Sequence, residues 1–330
     1  MKGKYSFSVS NSSVEFRITL NRNITILQGE GGTGKSVLCN MILDSKKTGS
    51  GVHLKAYQLE VRTLSTDAFN DGVILLHKHH DVVYIIDEDE QFVRSSAFAE
   101  QVKLTGCYVI IITREKLSCL PCSIKEVYTI ATTYDSVANR NIKTLKPLYP
   151  QDTWGKLPNS VGCIITEDRG AGKQFFSRVY GQQCLIISAN SKDNVNSLVE
   201  QHLAEPMIAV VDGAAYGFLI QDLLRYLSLG SLYVIAKESF EYVLLKSGIL
   251  SKYLGMTNVE EPLVDSTEFF SWEAYYFSLI VAITKETLYS YKKTHLPTIY
   301  TTPANQGKIL DVYKLPAYFA ASAEITHFFS

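Results

Sequence analysis

The stretch Gly29-Glu30-Gly31-Gly32-Thr33-Gly34-Lys35-Ser36 decides how the first half of this chain folds. It fits the pattern G-x-x-x-x-G-K-[ST] completely. The run Ile24–Leu27 before it is short, apolar and β-branched, which is typical of a buried strand. Residues 37–43 after it have helical character. The sequence therefore predicts a strand, a glycine-rich loop and a helix in direct succession.

The residue types of this stretch are those that bind phosphate. Glycines allow successive N–H groups to point inward at phosphate oxygens, and the start of the next helix adds its dipole. We expect Lys35 to reach the β- and γ-phosphates of a nucleoside triphosphate and the Ser36 hydroxyl to bind Mg²⁺. The residues expected to bind the nucleotide are Gly29, Glu30, Gly31, Gly32, Thr33, Gly34, Lys35, Ser36 and Val37. The alternative is a glycine-rich turn in which the lysine is solvated.

A second element is the run of residues 81–88, which is apolar in its middle and ends in two acids. Such a run favours a parallel strand that is buried on both faces, with the acids at its carboxyl end, where open α/β sheets bind ligands. We expect Asp87 to hold Mg²⁺ and Glu88 to act as general base or to orient water. Asp89 and Glu90 extend the acidic cluster, so the base could be one of them. The alternative is an acidic turn that caps the next helix.

A third apolar run, residues 107–112, ends in Thr113 and Arg114. Either residue resembles the polar sensor that many P-loop ATPases place on the strand next to Walker B, and an arginine there would stabilise charge on the γ-phosphate. A surface arginine that merely closes a strand is the alternative.

With these three elements, residues 14–130 resemble the core of a P-loop NTPase, with Walker A, Walker B and a sensor. The resemblance implies Mg²⁺-dependent binding and hydrolysis of ATP. The catalytic residues that it implies are Lys35, Glu88 and Arg114, and the metal ligands are Ser36 and Asp87.

The opening strands Tyr5–Ser10 and Val14–Leu20 are similar to the antiparallel start of ABC-type and recombination ATPases. However, no LSGGQ-like signature follows, and only 51 residues separate Lys35 from Asp87. A compact AAA-like or RecA-like core therefore fits better than a dimeric ABC-style sandwich. The predicted fold is α/β, with a P-loop parallel-sheet core followed by a second, smaller α/β domain.

The second half begins after a proline-rich connector. We predict a nucleotide-binding domain over residues 1–145, a linker over 146–160, a second α/β domain over 161–265 and an aromatic-rich C-terminal helix with an irregular tail over 266–330. Strands are expected at residues 161–166, 184–188, 207–211 and 232–236, with helices between them.

Three interpretations of this second domain remain open. Gly170-Ala171-Gly172-Lys173 echoes the first loop, but Gln174 stands where the Mg²⁺ ligand belongs, so a second ATP site is not expected. Acids at strand ends, Glu167, Asp212 and Glu238 or Glu241, resemble a TOPRIM domain, and an ATPase followed by TOPRIM resembles the overcoming-lysogenization-defect nucleases. The expected D-x-D lacks its second acid. The third interpretation is a non-catalytic domain whose acids cap helices.

The aromatic-rich region predicts a helix over residues 268–291 and irregular structure over 295–307. Its aromatic side chains are expected in the core or at a partner interface. The alternative is stacking on nucleic-acid bases beside Lys292 and Lys293.

Composition limits the remaining possibilities. The 330 residues carry a formal net charge of −1, which gives no overall attraction to nucleic acid or anionic membranes. No apolar run resembles a signal peptide or a membrane span, and the six cysteines are typical of a reduced protein, so we expect a cytoplasmic location. Cys119 and Cys122 form a C-x-x-C that lacks a second ligand pair, which favours a structural role.

The function predicted is therefore Mg²⁺-dependent ATP hydrolysis that signals to the second domain. That domain is expected to contact DNA or a protein partner, and oligomers are compatible with the sequence. The alternative is a nucleotide-responsive binding or scaffold protein with little hydrolysis. No N-K-x-D motif selects GTP, and the choice between ATP and GTP stays open.

Overall fold

A computed structural model describes residues 3–29, 31–70, 81–117, 119–120, 122–255, 259, 268–269 and 271–320. The chain divides into two compact units. The first lies within Met1–Pro150 and Glu260–Trp272, and the second within Gln151–Val259 and Glu273–Ser330. Both units are mixed α/β structures whose sheets contain parallel strands.

The first unit is built on a nine-stranded sheet with the strand order β4-β1-β2-β9-β8-β3-β7-β6-β5. These strands are β1 Tyr5–Ser10, β2 Val14–Leu20, β3 Ile24–Leu27, β4 His53–Ala56, β5 Glu60–Thr63, β6 Val82–Ile86, β7 Tyr108–Ile112, β8 Val127–Asp135 and β9 Arg140–Pro147. Its helices are α1 Lys35–Asp44, α2 Thr66–Asn70 and α3 Ser96–Leu104.

The central part of this sheet is parallel: β3 pairs with β7 and β8, β7 with β6, and β6 with β5. Strands β3, β6 and β7 are buried along their whole length, which explains their continuous apolar runs. Leu27 pairs with Ile112, and Ile86 pairs with Ile111, so the three strands end at the same level. The segments that follow these strands consequently emerge side by side.

An antiparallel region flanks the parallel strands. β1 pairs with β2 in antiparallel orientation, as the sequence predicts, and also with β4. The hairpin of β8 and β9 joins this region to β3, because β9 runs parallel to β2. Helix α1 packs on the sheet through Leu38 and Ile42, which are fully buried in the core cluster of this unit.

The second unit has a five-stranded sheet with the order β10-β14-β13-β11-β12. The strands are β10 Thr153–Trp154, β11 Cys163–Thr166, β12 Leu185–Ser188, β13 Met207–Asp212 and β14 Leu232–Lys237. The helices are α4 Ala171–Tyr180, α5 Lys192–Gln201, α6 Ile220–Arg225, α7 Phe240–Lys246, α8 Ser251–Leu254, α9 Trp272–Thr284 and α10 Pro303–Tyr313.

Strands β11 to β14 are parallel, so the expected second parallel sheet is confirmed. The chain passes from β11 outward to β12, returns to β13 on the other side of β11, and continues outward to β14. The direction of winding therefore reverses between β11 and β13. In open α/β sheets, ligands bind outside the carboxyl ends of the strands at such a point.

Two sequence predictions differ from the structure. The predicted linker, residues 146–160, includes the end of β9 and all of β10, so it contributes to both sheets. The predicted irregular segment, 295–307, is wrong in its last part, because α10 begins at Pro303. Proline suits the first helical position, where its missing N–H would have no intrahelical partner anyway.

The aromatic-rich region is in large part core, as expected. Tyr276, Tyr291 and Tyr300 are buried, whereas the neighbouring Phe270 lies outside the described residues. The longest helix here, α9, runs over only 13 residues. Within the described part of the chain, no helix combines the length and the apolar character needed to cross a lipid bilayer.

Candidate functional site

The glycine-rich loop between β3 and α1 adopts backbone angles that favour glycine at three places, Gly29, Gly32 and Gly34. Gly34 is the N-cap of α1 in the left-handed region, with φ at 97°. Gly29 has φ at 132°, and a Cβ on it would lie 2.8 Å from Thr129 Oγ1. Glu30, which the sequence assigns to the nucleotide site, lies outside the described residues.

Helix α1 begins without a side-chain cap and without an acidic residue in its first turn. The first N–H groups of a helix have no intrahelical acceptor, and the helix dipole adds partial positive charge there. Most helices place a Ser, Thr, Asp or Asn at this position. The start of α1 instead leaves an anion as the natural partner for its backbone N–H groups.

Lys35 places its charge at the mouth of this loop. Its side chain is buried, and Nζ donates hydrogen bonds to the Gly29 carbonyl oxygen at 2.8 Å and to Thr33 Oγ1 at 3.4 Å. The ammonium thus bridges the two ends of the loop. A phosphate oxygen can replace these neutral acceptors at small cost, because hydrogen bonds to a charged acceptor are stronger.

Asp87 follows β6 and lies against α1. Its carboxylate accepts the Glu88 N–H at 2.8 Å. Burial first, and then the charge of Asp87 and a hydrogen bond to it, raise the pKa of the Cys39 thiol. Cys39 is three and four residues beyond Ser36 and Lys35, and such residues share one helix face. Asp87 is therefore on the side of α1 that carries the predicted metal ligand Ser36 and the predicted phosphate ligand Lys35.

A cavity of about 270 Å³ opens at this edge of the sheet. Its size is near the lower end of the roughly 300–1,000 Å³ that is typical of ligand pockets, which suits a phosphate chain better than a whole nucleotide. It is lined by Gly31, Gly32, Thr33, Gly34, Lys35, Ser36, Val37, Glu88 and Arg114. Residues from three separate parts of the sequence thus meet at one cavity.

The structure distinguishes among the candidates for the general base and for the sensor residue. Of the acids considered as base, Glu88 lines the cavity, whereas Glu90 accepts a hydrogen bond at 2.6 Å from the N–H of Thr66, the first residue of α2. Of the two sensor candidates, the Thr113 hydroxyl accepts the Glu115 N–H at 3.0 Å in its own turn. Arg114 instead lines the cavity, and its Nε lies 2.6 Å from Glu88 Oε1.

One cation lies beside the loop although nothing in the sequence around it predicts this position. Lys143, on β9, donates from Nζ to the Thr33 carbonyl oxygen at 2.8 Å and to Thr132 Oγ1 at 3.1 Å. A Cβ on Gly34 would lie 3.0 Å from this ammonium. Lys143 reaches the loop only because the β8–β9 hairpin pairs beside β3.

In the second unit, three acids surround a small cavity of about 20 Å³ at the winding reversal: Glu167, Asp168 and Asp212. Glu167 Oε2 accepts the Asp212 N–H at 2.8 Å. Burial raises the pKa of Glu167 to about 7. Burial, and then the charge of Glu167, also raise the pKa of Asp212 well above its ordinary value.

Two further acids belong to this group. After burial and the charge of Glu167, the charges of Glu273 and Glu241 also raise the pKa of Asp212. Glu241 Oε1 accepts the Tyr291 hydroxyl at 2.9 Å, and Lys293 Nζ lies 2.5 Å from Glu273 Oε1. The sequence singled out Glu241 as one of two choices and missed Glu273, which comes from the distant α9.

Asp168 settles the role of the second glycine-lysine segment. Its carboxylate accepts the N–H groups of Gly172 at 3.1 Å and of Lys173 at 3.0 Å. The protein's own carboxylate therefore occupies the start of α4, where a phosphate would have to bind. Among the described residues this segment is a capped helix start and not a second phosphate loop.

We compared the chain with protein-family models, curated proteins and solved structures, and none of them matches it.

Proposed function

We propose that the first unit binds ATP with Mg²⁺ and hydrolyses it, as a P-loop NTPase does. The observation that carries this proposal is the cavity in which the glycine-rich loop, the start of α1, Glu88 and Arg114 meet. A glycine turn by itself would not require an acid and an arginine from two neighbouring strands at the same place.

Several residues at the cavity, together with Asp87 beside it, have distinct roles in this reaction. The backbone N–H groups of the loop and the Lys35 ammonium neutralise charge on the β- and γ-phosphates. The Ser36 hydroxyl and the Asp87 carboxylate are hard oxygen donors and would hold Mg²⁺. A bound Mg²⁺ would neutralise negative charge on the phosphates.

Without a nucleotide, Arg114 and Glu88 form an ion pair in the cavity. A γ-phosphate that enters the cavity competes with Glu88 for the guanidinium, because phosphate accepts bidentate hydrogen bonds from arginine. Glu88 then turns its carboxylate to the attacking water, and Arg114 stabilises the charge that develops on the transferred group.

The test compares phosphate release and ATP affinity for the wild-type protein and Glu88→Gln. Hydrolysis that is lost while affinity is retained supports the ATPase, because the amide still fits but cannot take a proton. Binding without hydrolysis in both proteins supports the scaffold alternative. Asp89→Asn is the matched control, since this neighbouring acid is exposed and does not line the cavity.

A second candidate function concerns the acidic group of the second unit. Beside the capping carboxylate of Asp168, the charges of Glu167, Glu273 and Glu241 act on the buried Asp212 at the winding reversal. Clustered carboxylates suit a divalent cation such as Mg²⁺, and two such ions support phosphodiester cleavage. We propose this unit as a metal-dependent domain that acts on nucleic acid, in line with its TOPRIM resemblance. Mg²⁺- or Mn²⁺-dependent cleavage that Glu167→Gln abolishes and Glu200→Gln retains would support it, and an inert wild-type protein would exclude it.

A further inference from the structure

A second group of potential metal ligands lies at the opposite, amino-terminal edge of the second sheet. Cys163 begins β11, His202 is the C-cap of α5, and Glu205 precedes β13. One ligand atom from each of the three side chains lies within 4.8 Å of the other two. This group takes no part in the reactions proposed above.

The backbone holds these residues together. The Gly162 N–H donates to the Pro206 carbonyl oxygen at 2.8 Å, which fixes the start of β11 beside the turn before β13. The Glu205 N–H donates to the His202 carbonyl oxygen at 3.0 Å and closes that turn. His202 Nδ1 consequently lies 3.6 Å from Glu205 Oε1.

A glycine at residue 162 makes room for the carboxylate. A Cβ there would lie 2.5 Å from Glu205 Oε2. Any other residue would push the Glu205 side chain away from the start of β11. The absence of a side chain at this position therefore allows the acid to reach the thiol of the next residue, Cys163.

The ligand types indicate which ion would bind. Thiolate, imidazole and carboxylate are the ligand types of Zn²⁺, whereas Mg²⁺ and Ca²⁺ take oxygen ligands. Cys163 is fully buried, and the Glu205 side chain is half exposed. An ion between them would sit at the protein surface with three protein ligands and water in the fourth position.

The distances between the three ligand atoms, all within 4.8 Å, would fit such an ion if the side chains moved slightly closer together. Zinc–ligand distances of about 2.0–2.3 Å place the ligand atoms of a tetrahedral site roughly 3–4 Å apart. The His202–Glu205 distance of 3.6 Å is already in this range. Rotation of the Glu205 side chain, which is half exposed, and of the His202 side chain, which is 23% exposed, would bring the remaining ligand atoms closer.

We propose that Cys163, His202 and Glu205 form a Zn²⁺ site that ties the end of α5 to the starts of β11 and β13. The three ligands come from three chain segments, so the ion would hold these segments together while its fourth position stays open to water.

Cobalt provides the direct test, because a Co²⁺–thiolate bond gives a charge-transfer absorption band. We expect metal-free protein to take up one Co²⁺ with such a band, and Zn²⁺ to displace it. Cys163→Ser should abolish the band, whereas Cys119→Ser, an exposed cysteine of the first unit, should leave it unchanged. A protein that shows no band at saturating Co²⁺, or a band that survives Cys163→Ser, would overturn the proposal.

Glu205→Gln keeps the test decisive if Cys163→Ser fails to fold, because the Glu205 side chain is half exposed. Loss of an outer partner of a metal ligand already costs about 10–100-fold in affinity. We therefore expect Glu205→Gln and His202→Ala to weaken Zn²⁺ binding at least about tenfold. His53→Ala, at an exposed histidine of β4, should have no effect. Equal Zn²⁺ affinity in all three variants and the wild type would contradict the site.

Discussion

Arg114 Nε lies 2.6 Å from Glu88 Oε1, and both side chains line the cavity at the glycine-rich loop. The two residues follow neighbouring parallel strands that end at the same level, β7 and β6. Both side chains are partly exposed, so the pair itself contributes little to stability. The pair places an acid and a cation side by side at the cavity in which we propose that the γ-phosphate binds.

Removing the guanidinium should slow hydrolysis much more than it weakens binding. For Arg114→Ala we expect the rate of phosphate release to fall by about 10²-fold or more, since donors aimed at developing charge act mainly in the transition state. Single-turnover hydrolysis, together with ATP affinity, measures the two effects separately. Arg94→Ala is the matched control, because Arg94 forms an exposed ion pair with Glu115 in the same unit. Equal losses in the two variants would contradict a role at the reacting phosphate.

Lys143 should support the shape of the loop. Its hydrogen bond to the Thr33 carbonyl oxygen, at 2.8 Å, has a charged donor, and such bonds contribute about 1.5–3 kcal/mol. Because Lys143 is only partly buried, we expect Lys143→Met to weaken ATP binding by about tenfold, which is about 1.4 kcal/mol. Lys146→Met, at an exposed lysine of the same strand, should bind ATP normally. Unchanged ATP affinity in Lys143→Met would show that Lys143 does not support the shape of the loop.

Gly34→Ala should damage the site as well as the fold. Alanine in the left-handed region costs about 1–2 kcal/mol, so the free energy of unfolding should fall by about this amount. Gly49→Ala serves as the control, since Gly49 has φ at 79° and a Cβ there would meet nothing within 4 Å. Both variants should lose stability in denaturant titrations, but only Gly34→Ala should also lose ATP binding. ATP binding that is equally retained in both would show that the loop tolerates a side chain beside Lys143.

The acidic group of the second unit should make stability depend on pH. The pKa of Glu167 is about 7 in the folded protein, compared with about 4.3 in an unfolded chain. The folded state therefore favours the protonated acid. This contribution to stability is fully present below about pH 4.3 and is lost as the pH rises towards about 7.

Thermal unfolding measured between about pH 5 and about pH 8 should show this loss as a falling Tm. Glu167→Gln should reduce the slope, because the amide stays neutral at every pH, while Asp212, whose pKa is also raised, keeps part of it. Glu200→Gln, at an exposed acid of α5, should retain the wild-type slope. A Glu167→Gln slope equal to that of the wild type would mean that this acid titrates normally.

The sequence predicted those features whose causes are local. The strand, loop and helix around Lys35 follow from some twenty consecutive residues, and the parallel strands of both units follow from continuous apolar runs. The acids at the carboxyl ends of β6, β11 and β13 can be recognised from the sequence because they stand directly at strand ends. These inferences needed no knowledge of how distant segments pair.

What the sequence missed depends on such pairing. Lys143 reaches the loop through the β8–β9 hairpin, and Glu273 joins the acids from a helix some sixty residues beyond Asp212. The sequence does not assign a role to Asp168, because a carboxylate after a strand can bind a metal or cap a helix. The direction of its side chain, known only from the structure, determines that it caps α4. The sequence alone does not reveal α10, because Pro303 is equally compatible with a turn and with the first position of a helix.

The central claim, a triphosphate site built around Lys35, is tested most directly by calorimetric titration of the wild-type protein with ATP and Mg²⁺. We predict one site per chain, binding that Lys35→Ala abolishes, and unchanged binding in Lys46→Ala, whose lysine forms an exposed ion pair with Glu60. Absence of ATP binding to the wild-type protein, or equal affinity in Lys35→Ala, would contradict it.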